Sequence, residues 1–260
     1  MKFQLRGKGP AVLLLHGIPT CGRLWDPVVE ILRHHFTCVI VDLPGMGESA
    51  ALADRSPDPS QYANEIECLR RELSIPVWHV VGHDAGSAIA VHYSAGFPDC
   101  VKKLVLCSPP IFPELRPPLV FRLLRAPLVG DILAPLVMPM IWRIGLPASV
   151  ERRDEQTNEI LAAFRRPFVG AGGTSRFVQL LRWGDPVQVL SRTAGLLPTI
   201  GAPTLVIHGR HDHTIPVSFA TRAAALIPNA NVLLLDSGHF LPLNCPVILS
   251  HHLVRFFEGA

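Results

Sequence analysis

The stretch Val77 to Ala90, VWHVVGHDAGSAIA, constrains the fold of this chain more than any other. Its first six residues are apolar without alternation, apart from one histidine, which is the pattern of a strand buried on both faces. Glycines then stand two before and two after Asp84, and a run of small residues at 87–97 has helical spacing up to Pro98. A strand covered on both faces needs helices on either side of its sheet. The expected fold is therefore α/β, with a mostly parallel sheet.

The same pattern recurs along the chain. AVLLLHG (11–17), FTCVIVDLPGMG (36–47), VKKLVLCSPP (101–110), PTLVIHGRHD (203–212) and NVLLLDSGH (231–239) all read as strands ending in turns. Helices are expected at 62–73, 218–227 and 247–258. Between 111 and 198 the strand signal vanishes, leaving prolines, helical apolar spacing and a GAGG loop. The expected organisation is a sheet core at 1–110 and 199–260, with a helical cap, or lid, inserted at 111–198. At 260 residues and 48% hydrophobic composition, the chain can bury a sizeable core.

Composition excludes several classes. The net charge is only +3 and no Lys/Arg run stands out, so electrostatics make no case for nucleic acid or a membrane surface. The six cysteines form no CxxC pair and read as free thiols of a reducing compartment. The apolar run near the N-terminus is too short for a signal segment. A cytoplasmic protein is expected, its state as monomer or dimer open. The most apolar region, 117–147, is interrupted by Pro127, Asp131, Pro135, Pro139 and several arginines, so it reads as buried or lid helices with no membrane span. Gly-rich phosphate loops are absent, and no cofactor is expected. HGRHDH brings His208, His211 and His213 close in sequence, but His208 and His211 straddle a strand end. No metal site is expected.

Reactive groups of open parallel sheets gather beyond the carboxyl ends of the strands. Three features end strands there. Asp84 stands in a sharp strand-to-helix turn, which pushes its side chain into the open at a helix N-terminus that favours an anion. The other reading of Asp84 is a simple helix cap. Asp212 lies in a polar turn after a strand, where it can orient a histidine and stabilise the imidazolium; an ordinary turn aspartate is the alternative. His239 follows a strand and a Ser-Gly turn and can reach back over the sheet edge. Asp236 competes with Asp212 as its partner, with less in its favour. The loop HGIPT (16–20) adds backbone N–H groups: those of Ile18 and Ala85 can converge as an oxyanion hole, while His16 braces the loop.

LLLHGIPT, DLPGMGES, GHDAG, HGRHD and SGHF, in this order and spacing, resemble the α/β-hydrolase superfamily over nearly the whole chain. The insertion matches that family's cap. Related chains carry another strand before the HG loop, and here that edge strand is expected to be missing. Aspartate at the turn together with HGxP resembles the epoxide hydrolases and the haloalkane and haloacetate dehalogenases. That resemblance implies Asp84 as a nucleophile forming an alkyl-enzyme ester, His239 as the base that activates water, and Asp212 as its orienter.

The leaving-group devices of those relatives are incomplete. Neither Tyr62 nor Tyr93 falls in the cap, and Ala85 stands where haloalkane dehalogenases place tryptophan. Trp142 and Trp183 can donate an indole N–H to a halide, although packing accounts for a cap tryptophan more simply. Met138 and Phe121 belong to a set of apolar cap residues expected to line the substrate site. The expected function is a cofactor-free hydrolase acting on a small apolar organic substrate. Two alternatives stand beside it. The same three residues could serve an ester or lactone hydrolase, or an enzyme of biosynthetic elimination, decarboxylation or cyclisation. A non-catalytic binding protein could also use this fold.

Overall fold

A computed structural model describes residues 1–51, 58–152, 154–182 and 184–259. Among them the sheet has seven strands: β1 (Lys2–Arg6), β2 (Ala11–Leu15), β3 (Thr37–Asp42), β4 (Trp78–His83), β5 (Val101–Cys107), β6 (Thr204–Gly209) and β7 (Ala230–Leu235). Their spatial order is β1-β3-β2-β4-β5-β6-β7, and every pairing is parallel except that of β1 with β3. All six residues of β4 are buried, and four of the five in β2. These unbroken apolar runs are central because both of their faces are covered.

The strand expected to be missing at the N-terminal edge is present. Lys2 to Arg6 pair with Asp42 to Cys38 in antiparallel register. An edge strand needs one partner and one partly covered face. Only Phe3 and Arg6 of the five are part-buried, so the segment carries no continuous apolar signal. Gly7 and Gly9, both at positive φ, turn the chain from β1 into β2.

Helices α1 (Asp26–Leu32), α2 (Pro59–Glu72) and α3 (Ala85–Gly96) connect the first half of the sheet. Asp58 caps α2 by accepting from the Ser60 N–H at 2.9 Å. Between β5 and β6 lie α4 (Leu119–Arg125), α5 (Val129–Met140), α6 (Leu146–Ala148), α7 (Glu155–Arg165), α8 (Gly173–Leu181) and α9 (Pro186–Leu196). The last part of the chain adds α10 (Ser218–Leu226), α11 (Leu241–Asn244) and α12 (Pro246–Glu258). Leu249, Leu253 and Phe257 bury the inner face of α12.

One reading of the inserted region needs correction. Pro135 and Pro139 do not break the chain there. They lie inside α5, which continues through a π-helical turn (Ile141–Gly145) into α6 as one helix, Val129–Ala148. Both prolines are on the exposed side, so water can satisfy the carbonyls that each leaves without a donor. By length and composition this helix would suffice to cross a membrane, but Gly130, Ala134, Met138, Ile141, Trp142 and Leu146 bury one of its faces within the protein.

Candidate active site

The carboxyl ends of β4, β6 and β7 bring Asp84, Asp212 and His239 to one edge of the sheet. Asp84 has φ 51° and ψ −127°, outside the regions that ordinary residues populate. Such a conformation costs of order 1–3 kcal/mol and persists only where its surroundings enforce it. Here they do. The Asp84 N–H donates to the Cys107 carbonyl at 3.0 Å, and the Asp84 carbonyl accepts from the Ser87 N–H at 2.8 Å. The turn also closes too tightly for side chains. A Cβ on Gly82 would lie 2.4 Å from the Gly86 carbonyl oxygen, and one on Gly86 would lie 2.5 Å from that of His16. A Cβ on Gly17 would strike the Asp84 carboxylate itself.

The two carboxylate oxygens of Asp84 have different partners. Oδ1 accepts from the Ile18 N–H at 3.1 Å, and the Ala85 N–H also bonds the carboxylate. Oδ2 faces His239 Nε2 at 3.6 Å. On the other side of the ring, His239 Nδ1–H donates to Asp212 Oδ2 at 2.8 Å. Asp212 is fixed in turn by the N–H groups of Thr214 and Ile215, at 2.8 and 2.9 Å, and by His208 at 3.3 Å. Asp236 takes no part: it is exposed and bonds His211 at 2.6 Å. His208 and His211 thus face different carboxylates.

Electrostatics follow from this geometry. Burial raises the pKa of Asp84, opposed by His239 and the two N–H groups. Burial acts upward on Asp212 as well, but the bonds from His208 and His239 outweigh it and hold its carboxyl far below the usual range. Burial pulls His239 down, and Asp212 followed by Asp84 overcomes that and raises it. The ring thus lies between two carboxylates, Asp212 on its Nδ1 side and Asp84 on its Nε2 side. His16 is structural: its Nδ1–H donates to the Gly17 carbonyl and its Nε2 accepts from the Leu43 N–H, each at 2.9 Å. Burial lowers it to about 4. His83, packed on His239 and bonded to its carbonyl at 2.9 Å, is pushed down to about 3.

These two neutral, fully buried histidines predict an acid-labile fold. Their folded pKa lies below the ordinary 6.5, so their contribution is complete above pH 6.5. It is lost as pH falls from there toward 4 and 3. Each takes up about one more proton on unfolding in that window, so together stability should fall by about 3 kcal/mol per pH unit between pH 6 and 4.5. Denaturant melts across that range check it, and a flat profile would contradict it.

Two adjoining cavities of about 230 and 390 Å³ meet over Asp84 and share Ile18, Pro19, Pro118, Phe121 and Thr214. Phe121 lines both. Met138 and Trp142 do not line either. Their side chains turn into the helical layer, where Trp142 stacks on Phe168 at 5.7 Å and meets Phe177 edge-on at 5.6 Å. Trp183 lies outside the described residues. Met140, Ile141 and Phe240 form part of the larger cavity, and Leu180, Leu181 and Val189 part of the smaller. Sequence reasoning missed Arg125. It lines the smaller cavity, and its guanidinium donates to the carbonyls of Leu181 and Gly184. Its spacing of four from Phe121 puts both on one face of α4 and was the available signal. Thr214 was missed too, since a turn residue beside Asp212 shows no periodicity.

Comparison with known proteins agrees with this architecture. Residues 10–131 match a family model described as the alpha/beta hydrolase fold. An uncharacterized protein of Mycobacterium tuberculosis is 30% identical over 253 residues, covering 92% of this chain and 72% of that one. A pimeloyl-acyl-carrier-protein methyl ester esterase of Vibrio vulnificus is 28% identical, covering 98% and 97%. Among solved structures, haloalkane dehalogenase DbeA of Bradyrhizobium elkani superposes with a TM-score of 0.83 at 25% identity, covering 99% and 93%. With the parallel sheet, the strained turn at Asp84 and these likenesses together, the chain belongs to the α/β-hydrolase family of hydrolases.

Proposed function

We propose that this hydrolase works without a cofactor through a covalent intermediate on Asp84, with His239 as base and Asp212 as its orienter. One observation carries the reading: the two Asp84 oxygens have separate environments. Oδ1 accepts from the Ile18 N–H, and Oδ2 lies next to His239 Nε2. In the first step Oδ2 attacks an sp³ carbon of the substrate. The C–O ester bond forms as the bond to the leaving group breaks, and the leaving group departs with the electron pair. A carboxylate needs no deprotonation for this step. His239 then takes a proton from water, and the hydroxide adds to the ester carbon Cγ. The N–H groups of Ile18 and Ala85 hold the resulting oxyanion, which collapses as the Cγ–Oδ2 bond breaks; the departing alkoxide takes the proton from His239 and leaves as the alcohol, and the Asp84 carboxyl loses its own proton to water.

The substrate is a small, largely apolar organic molecule. Apolar side chains and prolines make up most of both cavity walls, with Arg125, Thr214 and Ser149 as polar points. The helices between β5 and β6 act as a cap over it.

The same wall supports a second reading. Among the described residues it holds no tryptophan or tyrosine to donate to a halide or an epoxide oxygen, and one relative is named as a methyl ester esterase. On that reading Asp84 attacks an ester or lactone carbonyl, or serves as a base. A substrate panel separates the two. Turnover of haloalkanes or epoxides at least tenfold above aryl esters and lactones supports attack on sp³ carbon. The reverse ranking supports the second reading.

A further inference from the structure

The continuous helix Val129–Ala148 has one face that nothing among the described residues covers. Leu128, just before it, and Ile132, Leu136, Met140 and Ile144 recur at every fourth position and are between 54% and 76% exposed. That spacing sets them in a row along the helix. Leu119 and Leu123 of the adjacent α4 are exposed as well. An apolar stripe of this length is unusual on a water-facing surface.

The charges around it that lack an ion-pair partner among the described residues are arginines. Asp131 is the acidic residue on this face, and Arg182 pairs with it at 3.0 Å. Arg122 and Arg143 are exposed and make no ion pair among the described residues. The small net charge of the whole chain does not report this local arrangement. The stripe also continues into the candidate site, because Met140 and Ile144 line the larger cavity beside Asp84 and His239.

We propose that this face docks on a bilayer bearing anionic headgroups, with the helix lying flat in the headgroup boundary. The opposite face is committed to packing within the protein, so the helix lies on the membrane and does not span it. Apolar rows flanked by arginines are the composition of interfacial helices. The arginines are drawn to the negative lipid surface. Because the stripe meets the cavity wall, an apolar compound dissolved in the bilayer can enter without crossing water. The docking itself rests on the helix face and stands apart from the chemistry assigned to Asp84.

Co-sedimentation of the full chain with lipid vesicles, in the absence of any substrate, tests it. The chain should bind vesicles of phosphatidylcholine mixed with phosphatidylglycerol. It should bind less to phosphatidylcholine alone, and less in high salt. Ile132→Ser combined with Leu136→Ser should weaken binding about 30-fold or more. Both residues are exposed and outside the cavity walls, so the melting temperature should hold. Arg122→Glu with Arg143→Glu should abolish the preference for the anionic lipid. A wild-type chain that stays in the supernatant overturns the proposal, as does equal binding by the Ser variant. A dimer seen by sedimentation equilibrium that the Ser variant dissolves, with no vesicle binding, also overturns it and assigns the stripe to a second copy.

Discussion

Asp84→Asn should lower turnover by about 10⁴-fold or more while leaving the fold intact. Asparagine keeps the shape of the side chain and can still accept from the Ile18 N–H. It also tolerates the positive φ of this turn, so the melting temperature should stay within a few degrees. What it lacks is the ionised oxygen that the proposed attack on carbon requires. Purified variant and wild-type chains, compared on whichever panel substrate turns over fastest, provide the measurement. Activity within tenfold of wild type would remove Asp84 from the reaction.

His239→Gln should stop the reaction halfway. The first step needs the Asp84 carboxylate alone, whereas the second needs a group that takes a proton from water. Glutamine cannot take it. One equivalent of substrate should therefore remain on each chain as an ester of Asp84, visible as an added mass on the intact protein. Multiple turnover should fall by about 10³-fold or more. An inactive variant that carries no adduct, although substrate binds, would contradict a covalent intermediate and favour Asp84 as a base.

Much of the site was legible in the sequence, for a physical reason. Gly82 and Gly86 are dictated by backbone contacts too close for any side chain, so their spacing around Asp84 reports the turn directly. Asp212 and His239 follow strands, and the carboxyl edge of a parallel sheet brings strand ends together whatever the loops do. Of the two aspartates after strands, Asp212 bonds His239 and Asp236 bonds His211.

The cavity wall was far less legible. Met138 and Trp142 are as apolar as Met140 and Ile141, and composition cannot say which face of a helix meets a cavity and which meets its neighbours. Arg125 escaped because a long side chain can bury its stem in an apolar wall. The edge strand at Lys2–Arg6 escaped because a half-exposed strand of five residues has little pattern to show. Prolines misled the reading of 117–147, since on an exposed helix face the carbonyls they leave open can be solvated.

The central claim is that water's oxygen enters the product by way of Asp84. A single turnover with enzyme in excess, run in heavy-oxygen water and followed by mass spectrometry of the Asp84 peptide and of the product, tests it most directly. Attack on carbon by Asp84 transfers an enzyme oxygen to the product, so the account predicts the heavy isotope in the Asp84 carboxylate and an unlabelled product. A labelled product together with an unlabelled Asp84 peptide would contradict it.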